Sequence, residues 1–223
     1  MREYLNEKTG EKLICHTAES GLRIAVVPKK GFNKTYALLC TNFGSIDRHF
    51  VLEGKDIVIP DGVAHFLEHK MFEQKDGGNA FDRFAKLGAS ANAFTSFDMT
   101  AYLFSAAENY EESLRHLLSY VAEPYFTDEN VQKEQGIIGQ EIKMYDDNPG
   151  WCVFFNMLRG LYKEHPINID IAGTCDEIAK ITKETLYTCY GSYYHPANMI
   201  LCVTGNADAE TVIKAVDDIL PVT

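Results

Sequence analysis

The chain has 223 residues, 46% hydrophobic and 24% charged, a composition that suits one sizeable globular domain or at most two small ones. Its formal net charge of −11 argues against a nucleic-acid partner, because such binding rests on Lys and Arg neutralising phosphates. Apolar runs such as LRIAVV and NMILCV are too short to span a bilayer, and MREYLNEKTGEK lacks the apolar core of a secretory signal.

In chain order, KLICHTAE and LRIAVVP flank a Ser-Gly turn and read as strands, with TYALLCTNFG as a third. A first helix is expected after Pro60, with Asp61 as its N-cap, running through HFLEH. NAFDRFAKLG reads as a second helix stopped by Gly88, and ASANAFTS and TAYLFSAA as neighbouring strands joined at Phe97-Asp98-Met99. The chain then turns helical. Glu108 to Ala122 is one helix, and Asp128 to Asp146 a longer one with acids in its first turn, where the helix dipole favours them. DDNPG stops it, and shorter helical patterns follow around 151–161, 175–181 and 183–193. NMILCVTG reads as a buried strand before a final helix from about Asp208 to Ile219. Strands first, helices inserted and a closing strand–helix pair describe an α+β fold rather than βαβ alternation.

The six cysteines, Cys15, Cys40, Cys152, Cys175, Cys189 and Cys202, form no CxxC pair, and four sit in apolar or aromatic surroundings. Buried, reduced thiols in a cytoplasmic protein are expected rather than a disulfide framework. Trp151, Phe154 and Phe155 are expected in the core.

The stretch DGVAHFLEHKMF carries the chemistry. At about 100° per residue, Val63, Phe66, Leu67 and Met71 share one arc of a helix, and His65, Glu68 and His69 share the opposite one. Lys70 projects near the apolar arc and is expected to snorkel outward. Histidines at i and i+4 reach one Zn²⁺, and the intervening glutamate is placed to take a proton from water. The bland reading is a solvated polar face. A catalytic zinc needs a third protein ligand, and Glu134 and Glu141 share one face of the 128–146 helix at the edge of its apolar stripe. Buried carboxylates there need a compensating cation, either a metal ion or a Lys or Arg partner.

These residues resemble the pitrilysin/insulinase peptidases, the inverted zincins (inverzincins) with HxxEH and a distant glutamate; Glu141 follows His69 by 72 positions. GVAHFLEHKMFE, LGASANAFTSFDMTAYLF, the 128–146 helix and YHPANMILCVTGN are similar to the family's landmarks in the family's order, from about Leu22 onward. HKMFE with NAFDRFAKLGAS is most similar to small bacterial members. The resemblance implies a mixed, largely antiparallel sheet packed with helices, and one Zn²⁺ per chain held by His65, His69 and Glu141. It further implies Glu68 as general base, Glu134 as an outer carboxylate orienting a histidine, and Asn92, Ala93 and Phe94 on a substrate-docking edge strand.

A zinc endopeptidase acting on short or unfolded peptides is therefore expected, with a non-catalytic peptide-binding or partner subunit of a peptidase complex as the alternative. Residues 1–223 are expected to be one domain, the N-terminal half of a longer protein, because no counterpart of the Arg and Tyr that the family's other half supplies is found here. The expected partners are a peptide and that C-terminal half or a partner chain, closing a clamshell; a homodimer stays open.

Overall fold

The computed structural model describes residues 1–220. In chain order the elements are β1 (Arg2–Asn6), β2 (Glu11–Thr17), β3 (Arg23–Pro28), β4 (Thr35–Thr41), β5 (His49–Leu52), β6 (Lys55–Val58), α1 (Val63–Lys70) and α2 (Ala80–Lys86). They continue as β7 (Ala89–Thr95), β8 (Thr100–Ala106), α3 (Tyr110–Ala122), α4 (Asp128–Asp146), α5 (Pro149–Leu161), α6 (Cys175–Ile178), α7 (Lys183–Tyr193), β9 (Met199–Gly205) and α8 (Ala209–Ile219). Seven strands form one sheet in the order β1-β2-β3-β9-β4-β8-β7, antiparallel throughout except for β3 beside β9. This is the mixed, largely antiparallel α+β arrangement expected.

Alternation explains the layering. In β4, Ala37 and Leu39 are buried while Tyr36 is exposed, and in β9 Met199, Leu201 and Val203 are buried while Ile200 and Cys202 are half-buried. The buried set points to one side. There it forms a single cluster with Phe66 and Leu67 of α1, Leu114 and Leu117 of α3, and Val212 and Val216 of α8. Cys40 and Cys189 are buried as expected, whereas Cys15, Cys152 and Cys202 are half-buried and Cys175 is exposed; all six are free.

Two features escaped the pattern reading. β1 is exposed along its whole length and pairs antiparallel with β2, so it carries no alternation of burial to read. β5 and β6 form a separate hairpin whose turn places Glu53 and Gly54 at φ 51° and 77°. Asn-Gly or Asp-Gly normally signals such a turn, and Glu-Gly hides it.

The start of α1 corrects another expectation. Asp61 does not cap the helix; it pairs with Arg48, and Gly62 occupies the N-cap at φ 86° with no side-chain cap. A Cβ on Gly62 would lie 2.5 Å from the Ala172 carbonyl oxygen, and one on Gly173 would lie 2.6 Å from that of Asp61. The two backbones therefore meet only because both positions are glycine. Gly62→Ala is expected to cost ~1–2 kcal/mol for the left-handed backbone alone, before the collision is relieved. Urea unfolding measures it, and an unchanged midpoint would mean that the 172–173 loop can move aside.

His116, on α3, is buried, with its Nε2 donating to the Ala80 carbonyl at 2.9 Å. Burial pulls its pKa below the usual value, against the Ala80 hydrogen bond and helped by the Arg83 charge. The folded histidine thus stays neutral at a pH where the unfolded one takes a proton. Stability is full above pH ~6.5 and falls as pH drops from there toward the lower folded value. His116→Gln should therefore flatten the fall in Tm between pH ~7.5 and ~5.5; an identical slope in both proteins would contradict this.

Candidate metal centre

α1 and α4 cross with their polar faces together. A capping box at Thr127 and Asn130 fixes where α4 starts, and hence which side its glutamates occupy. Ile138 is fully buried and Ile137 is exposed, so Glu134 and Glu141 fall on the boundary read from the sequence.

His65, His69 and Glu141 each bring one donor atom to within 4.8 Å of the others. Glu141 Oε1 lies 3.8 Å from His65 Nε2 and its Oε2 lies 3.5 Å from His69 Nε2, both too long for good hydrogen bonds. A tetrahedral zinc about 2.0–2.1 Å from each donor sets them roughly 3.3–3.5 Å apart. His65 gives a second indication. Its buried Nε2 faces Glu141 Oε1 at 3.8 Å and makes no hydrogen bond among the described residues, so its lone pair is free for a metal. Two imidazoles and a carboxylate are also the donor set of a catalytic zinc with one position left open. The residues fit the metal.

The surroundings hold these donors in place. Glu134 Oε1 is 3.0 Å from His69 Nδ1, while Lys70 Nζ lies 3.6 Å from Glu134 Oε2 and also pairs with Glu73. Lys70 is fully buried, so the expected snorkelling does not occur, and the cation beside Glu134 is a lysine. Tyr145 Oη donates to Glu141 Oε1 at 2.6 Å and stacks on Trp151 at 4.5 Å; the Trp151 indole N–H donates to Asp170. Thr95 Oγ1 donates to Glu68 Oε2 at 2.8 Å.

The charges follow from this packing. Burial pushes the His65 imidazole well below its usual pKa, with His69 adding to the effect. Burial also acts on His69, but the Glu134 hydrogen bond and three nearby carboxylates outweigh it and raise its pKa. Burial raises Glu68 against the Thr95 hydrogen bond. For Glu134, burial is outweighed by the contacts with His69 and Lys70, and the net shift is downward.

β7 is the sheet's edge, with β8 on one side only. Ala93, Phe94 and Thr95 line a cleft together with His65, Glu68, His69, Glu141, Tyr145 and Trp151. Phe94 and Asn92 are exposed, and Asn92 Oδ1 accepts the Ala93 N–H at 2.9 Å. Trp151, expected in the core, is half-buried and lines this cleft, Phe154 is exposed, and Phe155 alone of the three is fully buried.

Sequence reasoning did not find Thr95, Tyr145 or the role of Trp151. Tyr145 was findable, since it lies four residues after Glu141 on the same helix. Thr95 carries no local signal, because its contact with Glu68 joins a strand end to a helix 27 residues away.

Residues 57–175 match the family model described as insulinase (peptidase family M16), and residues 180–221 match that of the peptidase M16 inactive domain. The chain is 54% identical to the zinc protease YmfH of Bacillus subtilis, itself uncharacterised, over 94% of the chain and 49% of that protein. It is 27% identical to the zinc protease PqqE of Helicobacter pylori, covering 89% of the chain and 44% of that protein. A crystal structure of an M16-like peptidase from Alicyclobacillus acidocaldarius superposes with a TM-score of 0.90 at 43% identity, over 93% of the chain and 49% of its own. The chain thus spans about half the length of these relatives. No described helix is long and apolar enough to cross a membrane.

Proposed function

The chain belongs to the insulinase (M16) family of peptidases, and from that membership we propose that it is the zinc-binding half of a metalloendopeptidase. His65, His69 and Glu141 are the metal ligands, and Glu68 is the general base. The observation that carries this reading is the meeting of three donors from α1 and α4, with Glu68 beside them on the same cleft.

Zinc, when bound there, supplies a Lewis acid that lowers the pKa of an adjacent water to roughly 7 and polarises the scissile carbonyl. Glu68 takes the proton of the attacking water and delivers it to the leaving amine. The burial that raises its pKa suits both halves of that task, and Thr95 holds its second oxygen. Asn92, Ala93 and Phe94 receive the substrate as an added strand on the free edge of β7, through backbone hydrogen bonds that favour extended, unfolded peptides over folded ones. The Asn92 side chain must then release the Ala93 N–H.

A second half of similar size, from the same protein or from a partner chain, closes the clamshell; the half-length match to the relatives supports this. Six free thiols suit a cytoplasmic setting. The non-catalytic alternative is not favoured, because the donor set and the base are both complete. The test is hydrolysis of an unstructured, internally quenched peptide by the complete assembly. Activity abolished by a chelator and restored by zinc is expected; a zinc-loaded assembly that binds peptide without cutting it would contradict the reading.

A further inference from the structure

We propose that Lys70 is a positioning residue of the metal centre, acting on zinc through Glu134 and His69; this rests on the zinc reading above. Its side chain is 1% exposed, and its ammonium lies 3.6 Å from Glu134 Oε2 and pairs with Glu73. The other oxygen of Glu134 faces His69 Nδ1 at 3.0 Å, and His69 Nε2 faces Glu141 at 3.5 Å. Lysine, carboxylate, imidazole and donor set thus form one unbroken line.

The geometry gives each member a task. A neutral histidine that binds metal through Nε2 carries its proton on Nδ1, and that N–H needs a fixed acceptor. Glu134 is that acceptor, and it is itself buried. A buried carboxylate keeps its charge and orientation only when a cation compensates it. Lys70 supplies that positive charge at Oε2, so that Oε1 stays aimed at His69 Nδ1. Lysine suits the role because all its polar hydrogens are donors and it offers no lone pair to compete for zinc.

A plainer role is available. Lys70 is the last residue of α1, where a cation meets the helix dipole, and Glu73 could be its only necessary partner. The two roles differ in whether Lys70 matters to zinc, and whether it matters through Glu134.

The experiment is a double-mutant cycle on the zinc affinity of this chain, read by competition with a chromophoric chelator, with thermal melts of the metal-free proteins alongside. Lys70→Met and Glu134→Gln should each weaken zinc binding about 10- to 100-fold, the usual range for partners that orient a ligand. The double variant should be no weaker than the weaker single one, because both changes break the same line. Lys70→Gln, which keeps a neutral donor in the same space, is carried through the same cycle in case the methionine variant folds poorly. Parental affinity in a folded Lys70 variant, or losses that multiply in the double, would overturn the proposal and leave Lys70 as a helix-end cation. A parent chain that binds no zinc would instead sink the metal reading itself, so the two failures are distinguishable.

Discussion

Glu68→Gln is expected to lower kcat of the complete enzyme by about 10²–10⁴-fold, the range that a positioned general base contributes. Glutamine keeps the shape of the side chain and can still accept the Thr95 hydroxyl, so the 2.8 Å contact should survive. What it loses is the ability to take a proton. Glu68 is not among the three donors that converge, so zinc content should stay at the parental level and KM should change little. Loss of zinc in this variant would make Glu68 a ligand. Retained turnover would move the base elsewhere; among the groups lining the cleft, Glu141 is the other carboxylate.

The second large effect is expected for Glu141→Gln. Glu141 is the sole donor from α4, and its two oxygens face the two histidines separately. A neutral carboxamide removes the charge that offsets the metal and offers a weaker ligand oxygen. Zinc affinity should fall by more than about 100-fold, beyond the 10- to 100-fold typical of outer partners. The fold should persist, since Glu141 is only half-buried and the buried Ile138 and Ile142 anchor the helix beside it. Tyr145→Phe gives the useful contrast. It removes the hydroxyl that holds Glu141 but leaves the stack on Trp151, so its effect should be that of an orienting partner, not of a ligand. Equal losses in Glu141→Gln and Tyr145→Phe would contradict the assignment.

The parts of this centre legible in the sequence were those that helical period alone determines. His65, Glu68 and His69 share an arc at fixed angles, and Glu134 and Glu141 share one two turns apart. The meeting of the two arcs was not contained in either helix; it came from the resemblance, and the structure places one donor atom each of His65, His69 and Glu141 within 4.8 Å of the others. Contacts between elements were out of reach. Lys70 read as a residue that must snorkel because its carboxylate partner on α4 is invisible from its own helix. Asp61 read as a cap because the pattern around Pro60 fits one, while Arg48 and the backbone contact at Gly173 took that role away. β1 and the β5–β6 hairpin bury little, so hydrophobic period, the main signal for strands, had nothing to report there.

Zinc held by His65, His69 and Glu141 is measured as zinc per chain, by elemental analysis of protein purified without chelator or histidine tag, beside the Glu141→Gln variant. Close to one zinc in the parent and clearly less in the variant is the predicted result. No zinc in the parent, even after it is added back to correctly folded protein, or equal zinc in both, would mean that these three residues do not hold the metal.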